Sequence, residues 1–251
     1  MKKKMALIAL LASVSSAMPA LAGGLVSECK TSFAKDFPGT KVQEVIESPI
    51  KGVCEIRAGV NVFYYQPQKD RGLMMIGQIY TPAGDSLTQK VKESLEKNAA
   101  ALLPLDKAIK QGSGPVKVVV FTDPDCPYCR DLERALAARP EILQKATVYS
   151  FLFPLEKLHP QSKDKSRWIY CQGDQGAAME RVMLQAELDK IERVVYPDTC
   201  KLNEVEDRLF AAREAAQVMA VTGTPTVYVN GERVGGGPDK IIAAIDAAQG
   251  K

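Results

Sequence analysis

The sequence predicts a two-part α/β protein: a small α+β unit, a long connecting helix, and a larger domain ordered strand–helix–strand, helical insertion, hairpin, helix. Three observations carry this prediction. An unbroken apolar strand at residues 115–121 runs into Cys126-Pro127-Tyr128-Cys129 and a helical stretch. After residues 156–220, which read as helical throughout, a strand returns at 226–229 and turns back through Asn230-Gly231. Upstream, short strand-like runs punctuated by glycine and proline follow a single short helix.

In chain order, residues 1–22 read as an export segment rather than structure. Met1-Lys2-Lys3-Lys4 is a positive start, 5–18 is mostly apolar but too short to span a bilayer comfortably, and Ala20-Leu21-Ala22 is a small-x-small cleavage site before Gly23. The expectation is a soluble periplasmic product cut near Ala22. That segment holds three of the 33 basic residues and none of the 30 acidic ones, so the remainder balances 30 against 30. A neutral chain gives no support for a nucleic-acid or acidic-membrane partner.

Residues 23–81 read as an α+β unit. A helix at 25–37 is stopped by Pro38-Gly39, and strands follow at 42–46, 53–57, 62–65 and 73–80. So small a core is marginal alone, and pairing with a second copy would help it. Residues 82–111 read as a linker helix, mostly exposed, with Val91, Leu95, Leu102 and Leu105 at near-helical spacing and Pro104 breaking it late. The Gly-Ser-Gly-Pro stretch ending at Pro115 marks a boundary, and 112–251 forms the larger domain, closed by a helix from Pro238.

The chemistry concentrates at the strand-to-helix junction. A helix start offers unpaired N–H groups and the positive dipole end, so Cys126 is expected to lose its proton readily and act as a thiolate nucleophile. Cys129 lies one turn on, on the same face, placed to resolve a mixed disulfide. Pro127 suits a first helical turn. A structural zinc would need four ligands, and the chain has one histidine, His159, and no second C-x-x-C. No metal and no organic cofactor are expected. In Gly223-Thr224-Pro225, a proline opens a strand; a cis Thr224–Pro225 bond would present a backbone edge beside Cys126 on which an extended substrate could pair. An exported chain with six cysteines suggests three pairs, although six allow fifteen connectivities. With Cys126 and Cys129 taken as the local pair, Cys29 with Cys54 and Cys171 with Cys200 are the sequence-nearest remaining. His159 lies outside these motifs, and Trp168, Tyr170, Met179 and Met183 read as insertion core. Asp123 and Asp125 are placed to tune Cys126, but turn or cap roles are the first reading for them.

The export segment, small first unit, linker helix, Phe121-Thr122-Asp123-Pro124-Asp125-Cys126-Pro127-Tyr128-Cys129 and Gly-Thr-Pro before a strand together resemble the bacterial DsbC/DsbG family of periplasmic disulfide isomerases. The resemblance implies a cystatin-like dimerisation domain, a thioredoxin-like catalytic domain and a homodimer acting on misfolded secreted proteins. It implies Cys126 as nucleophile, Cys129 as resolving cysteine, Pro225 as cis-proline after Thr224, and a structural disulfide between Cys171 and Cys200. Substrate would also meet Pro127 and Tyr128. Pro127-Tyr128 is the DsbG-type dipeptide, whereas DsbC usually carries Gly-Tyr, which leaves the subtype open. Thioredoxin itself has a buried acid six residues before its nucleophile, where this chain has Val120. Cys29 and Cys54 depart from the family's usual pattern and are expected to staple the first unit as a second structural disulfide. A reduced dithiol further implies a membrane reductase of the DsbD type. The rival readings are a DsbG-like reductase of sulfenylated single cysteines, a redox-independent holdase chaperone, and a DsbA-like oxidase.

Overall fold

A computed structural model of the chain describes residues 23–189 and 194–249; the export segment expected at 1–22 lies outside the described residues. The first unit packs helix α1 (Gly23–Asp36) on a four-stranded antiparallel sheet of β1 (Glu44–Glu47), β2 (Cys54–Ala58), β3 (Asn61–Gln66) and β4 (Leu73–Met75), in that order. Cys29 and Phe33, one helical turn apart, enter a core with Cys54, Ile56 and Tyr65. Phe33 meets Tyr65 edge to face at 5.2 Å. The Tyr65 hydroxyl donates to the Asp36 carboxylate (2.7 Å), which also accepts the Gly72 N–H (2.8 Å), pinning the loop before β4 to the end of α1.

Two boundaries differ from the sequence reading. The strand expected at 73–80 is paired only over Leu73–Met75; beyond it the chain leaves the sheet, and the Ile79 N–H donates to Thr88 Oγ1 instead (2.9 Å). The linker helix expected across 82–111 is α2, Leu87–Ala101, capped by Ser86 Oγ on the Gln89 N–H (3.0 Å). It is not mostly free of packing, because Val91 and Leu95 lie on Val53, Val62 and Tyr64 of the first sheet. Pro104 leads into a short 3₁₀ turn, Leu105–Lys107, and residues beyond it do not belong to a linker. Ile109–Gly112 is strand β5, an edge of the second sheet, and Gly112 (φ +77°) turns the chain directly into the next strand. A buried Ile109 beside an open sheet edge gains more by pairing there than by extending a proline-interrupted helix.

The second sheet runs β5-β7-β6-β8-β9, with β6 (Val116–Thr122) central, parallel to β7 (Ala146–Leu152) and antiparallel to β8 (Thr226–Val229), which turns into β9 (Glu232–Val234). Asn230 and Gly231 both take positive φ (48° and 86°), the requirement of the tight turn their sequence announces. Helices α3 (Pro127–Ala137) and α4 (Ile142–Lys145) cross from β6 to β7. The insertion forms α5 (Ser162–Tyr170), α6 (Gln175–Leu184) and α7 (Leu202–Val218), and α8 (Pro238–Ala248) closes the domain. β6 is buried on both faces. Val118 and Val120 meet Leu132 and Leu136 of α3 and Ile241 and Ile245 of α8. Val119 and Phe121 meet α7, with Phe121 stacked on Phe151 at 5.3 Å. This two-sided burial explains why β6 reads as an apolar run rather than an alternation.

Cys29 and Cys54 are joined as a disulfide, Cα atoms 6.4 Å apart and 25 residues apart in sequence, tying α1 to β2. Closing such a loop stabilises a small domain by about 3 kcal/mol in the chain-entropy account. Replacing both residues by alanine in the protein starting at Gly23 is therefore expected to lower the stability of the first unit by about that amount. Urea unfolding followed by circular dichroism measures it, and the second sheet's transition should stay in place.

Candidate active site

The end of β6 and the start of α3 build the site. Thr122 is the last residue of β6, residues 123–125 turn, and Cys126 is the N-cap of α3 with Pro127 in the first turn. Cys126 has extended backbone (φ −70°, ψ 121°) and no side-chain capping bond, so no capping side chain satisfies the first-turn N–H groups. Its thiol, in a residue 5% exposed, donates to the Thr224 carbonyl at 3.4 Å. That contact follows from register: Phe121 pairs with Thr226, so the Thr224–Pro225 peptide, which is cis, is delivered to the end of β6 opposite the cysteine. Pro127 and Tyr128 form the exposed rim, Tyr128 at 73%.

Cys129 is 1% exposed, and its sulfur accepts the Asp123 N–H at 3.5 Å. Burial pushes its thiol up to about 12, partly countered by hydrogen bonding from Thr122, the Asp123 amide and Thr224. Both cysteines are reduced. The pair is thus unequal: one sulfur stands at the helix start, and the other is a protonated thiol in a core that includes Ile109, Tyr170, Met179 and Val182.

The structure gives several residues stronger connections than their sequence positions indicated. Asp123 is fully buried, and its carboxylate accepts from the Asp125 N–H (2.8 Å), the Leu155 N–H (2.7 Å) and the Ser162 hydroxyl (2.6 Å) and faces His159 Nδ1 (3.0 Å). His159, read as outside the motifs, therefore braces the turn that carries Cys126, from 36 residues away. Two residues that the sequence reading passed over are Lys165 of α5 and Asp189, which join Asp125 and Arg130 in a compact charge cluster. Glu133, four residues after Cys129 on α3, is buried; burial pushes its carboxyl up to about 7, against hydrogen bonding by Gln111 and with repulsion from Glu180. A glutamate on a helical stretch has the ordinary reading of an exposed face, so nothing local marks it. Cys171 and Cys200 are joined across the insertion, Cα atoms 4.9 Å apart. Among the described residues no cluster of three histidine, cysteine, aspartate or glutamate side chains is placed to hold a metal ion, and no helix is long and apolar enough to cross a membrane.

Comparison with known proteins accords with this geometry. Residues 104–248 match the thioredoxin-like domain family, and residues 15–89 match the disulfide bond isomerase protein N-terminal domain. The chain is 31% identical over 210 residues to the probable thiol:disulfide interchange protein DsbC of Bordetella pertussis, covering 82% of this chain and 68% of that protein. It is 32% identical over 203 residues to the Bordetella avium protein of the same name, covering 78% of this chain and 65% of the relative, so it spans about two thirds of their length. Thiol:disulfide interchange protein DsbC of Escherichia coli is 25% identical over 200 residues, 79% of this chain and 78% of that one. Among solved structures, the thiol-disulfide exchange protein α-DsbA2 of Wolbachia pipientis superposes with a TM-score of 0.50 at 13% identity, over 62% of this chain and 97% of that one, a likeness of fold.

Glu133 provides a test of the buried site that is independent of activity. A carboxyl whose folded value is raised stabilises the fold fully below about pH 4.5 and loses that contribution as pH rises to about 7. Glu133→Gln is expected to flatten this segment of the stability curve, so that the difference in melting temperature between pH 5 and pH 8 shrinks relative to the parent.

Proposed function

Since the chain belongs to the DsbC family of thiol:disulfide interchange proteins, we propose that it is a disulfide isomerase and reductase that repairs misoxidised exported proteins through Cys126. The observation that carries this reading is the placement of Cys126 Sγ at the start of α3, 3.4 Å from the Thr224 carbonyl, with Cys129 buried one turn behind.

The reaction follows from the inequality of the two sulfurs. A thiolate at Cys126 attacks one sulfur of a substrate disulfide; that S–S bond breaks, a mixed disulfide forms, and the displaced substrate sulfur leaves as a thiolate that takes up a proton. Cys129, protonated because it is buried, does not compete for this first attack. Two exits follow. Another substrate thiolate can attack the substrate sulfur of the mixed disulfide, which restores Cys126 with no net electron transfer and completes isomerisation. Alternatively, Cys129 gives up its proton and attacks Cys126 Sγ, which releases reduced substrate and leaves the Cys126–Cys129 disulfide, two electrons lost. The Thr224–Pro225 backbone and the exposed Tyr128 would hold an extended substrate segment across the sulfur.

The remainder of the reading concerns setting. The first unit would pair two copies, an assignment supported by its match to the isomerase N-terminal domain and by exposed Leu73, Met74, Met75 and Ile76 on and just past the sheet edge at β4. Residues 1–22 would direct export to the periplasm. There a membrane reductase of the DsbD type would return the dithiol after each reductive turnover.

Refolding of a scrambled disulfide protein in a glutathione buffer tests the proposal. Cys126→Ser is expected to reduce isomerisation to the uncatalysed level, while Cys129→Ser keeps the first attack and accumulates mixed disulfide visible by mass spectrometry. Parent-level activity in Cys126→Ser would overturn the reading. Faster turnover of a sulfenylated protein than of the scrambled one would move it to a single-cysteine reductase.

A further inference from the structure

The C-x-x-C segment is bracketed by two charged residues, Asp125 just before Cys126 and Arg130 just after Cys129, and neither is left to solvent. Both are held by the helical insertion. Lys165 of α5, 2% exposed, places Nζ 2.5 Å from Asp125 Oδ1 and 2.6 Å from Asp189 Oδ1. Arg130 grips Asp189 with two parallel bonds of 2.7 Å, reaches Asp125 Oδ1 at 3.1 Å, and donates its Nε–H to the Pro124 carbonyl at 2.8 Å. The result is a closed ring of two cations and two anions, with the nucleophile's turn as one side and the insertion as the other. The hydrogen bonds from Arg130 and Lys165 hold Asp189 well below the usual carboxylate range. A buried lysine is costly unless fully paired, so a ring with Lys165 at its centre is a specific arrangement rather than a solvated face.

We propose that Lys165 and Asp189 are positioning residues of the redox centre: through Asp125 and Arg130 they fix the turn around Cys126 and set the net charge that a thiolate there experiences, so that the insertion tunes reactivity and reduction potential. The inference rests on the disulfide-exchange reading. Its physical content is a sign. With the ring intact, the Asp125 carboxylate beside the nucleophile is neutralised. Removing Lys165 leaves an excess negative charge next to Cys126 and disfavours the thiolate, and with it the reduced form. Removing the charge of Asp189 leaves an excess positive one and acts the opposite way. The equilibrium concerned is protein disulfide plus two glutathione thiols giving the dithiol plus glutathione disulfide, two electrons and two protons passing to the protein.

The experiment compares Lys165→Met, Asp189→Asn and the double variant Asp125→Asn/Lys165→Met in the protein starting at Gly23. The readouts are the pH profile of iodoacetamide alkylation at Cys126 and the equilibrium with glutathione. Lys165→Met is expected to alkylate about fivefold more slowly near neutral pH, the size of one partly screened charge, and to shift the glutathione equilibrium about fivefold towards the disulfide, about 20 mV at about 30 mV per decade. Asp189→Asn should shift both in the reverse direction, and the double variant should return both towards the parent. If Lys165→Met fails to fold, the sign of the Asp189→Asn shift decides. Unchanged profiles and equilibria in the folded variants would overturn the inference and leave the ring merely structural. The disulfide-exchange reading would stand, because it depends on the parent's own attack on disulfides.

Discussion

The antiparallel pairing of β6 with β8 is the constraint on which the site depends. These strands lie about a hundred residues apart in the chain, and Phe121 opposite Thr226 puts the end of one against the beginning of the other. From that register follow the approach of the Thr224 carbonyl to Cys126 and the position of Pro225 at the mouth of the site. A slip by one residue would turn the alternate side chains of β8 to the other face and break the two-sided packing around Val118 to Phe121. Core packing therefore guards the geometry of the sulfur.

The two cysteines owe their different characters to depth in one helix rather than to different chemistry. At the first position the backbone still offers unpaired donors; one turn later the same side chain lies among Ile109, Tyr170 and Met179 and holds its proton. Thr122, the Asp123 amide and Thr224 soften this without reversing it, since removal from water outweighs a few hydrogen bonds to sulfur. Depth along α3 thus separates a sulfur at the helix start from one enclosed in the core.

The insertion does more than cover the sheet. Through His159, Ser162 and Lys165 it meets every acidic residue of the motif's approach, Asp123 from the interior and Asp125 from the flank. A carboxylate as deeply buried as Asp123 would be expensive to leave unpaired, and the insertion supplies partners for it in Ser162 and His159. The first unit shows the complementary economy: its core is small, and a disulfide, an aromatic cluster and the docking of α2 supplement it.

Features that depend on residue type and short spacing can be read from the chain alone. The apolar run of β6, the C-x-x-C at its end, the Gly-Thr-Pro before β8, the Asn-Gly turn and the arrangement of two α/β units were all legible, because each is written within one strand or one turn. The end of the linker helix was misread, because Ile109 to Gly112 becomes a strand only when β7 offers an edge to pair with. His159 on Asp123, Lys165 and Asp189 around Asp125, and the buried Glu133 were decided by tertiary structure alone. Their meaning lies in partners tens of residues away or in loss of water, and a charged side chain carries no local mark of whether it will be solvated, paired or enclosed.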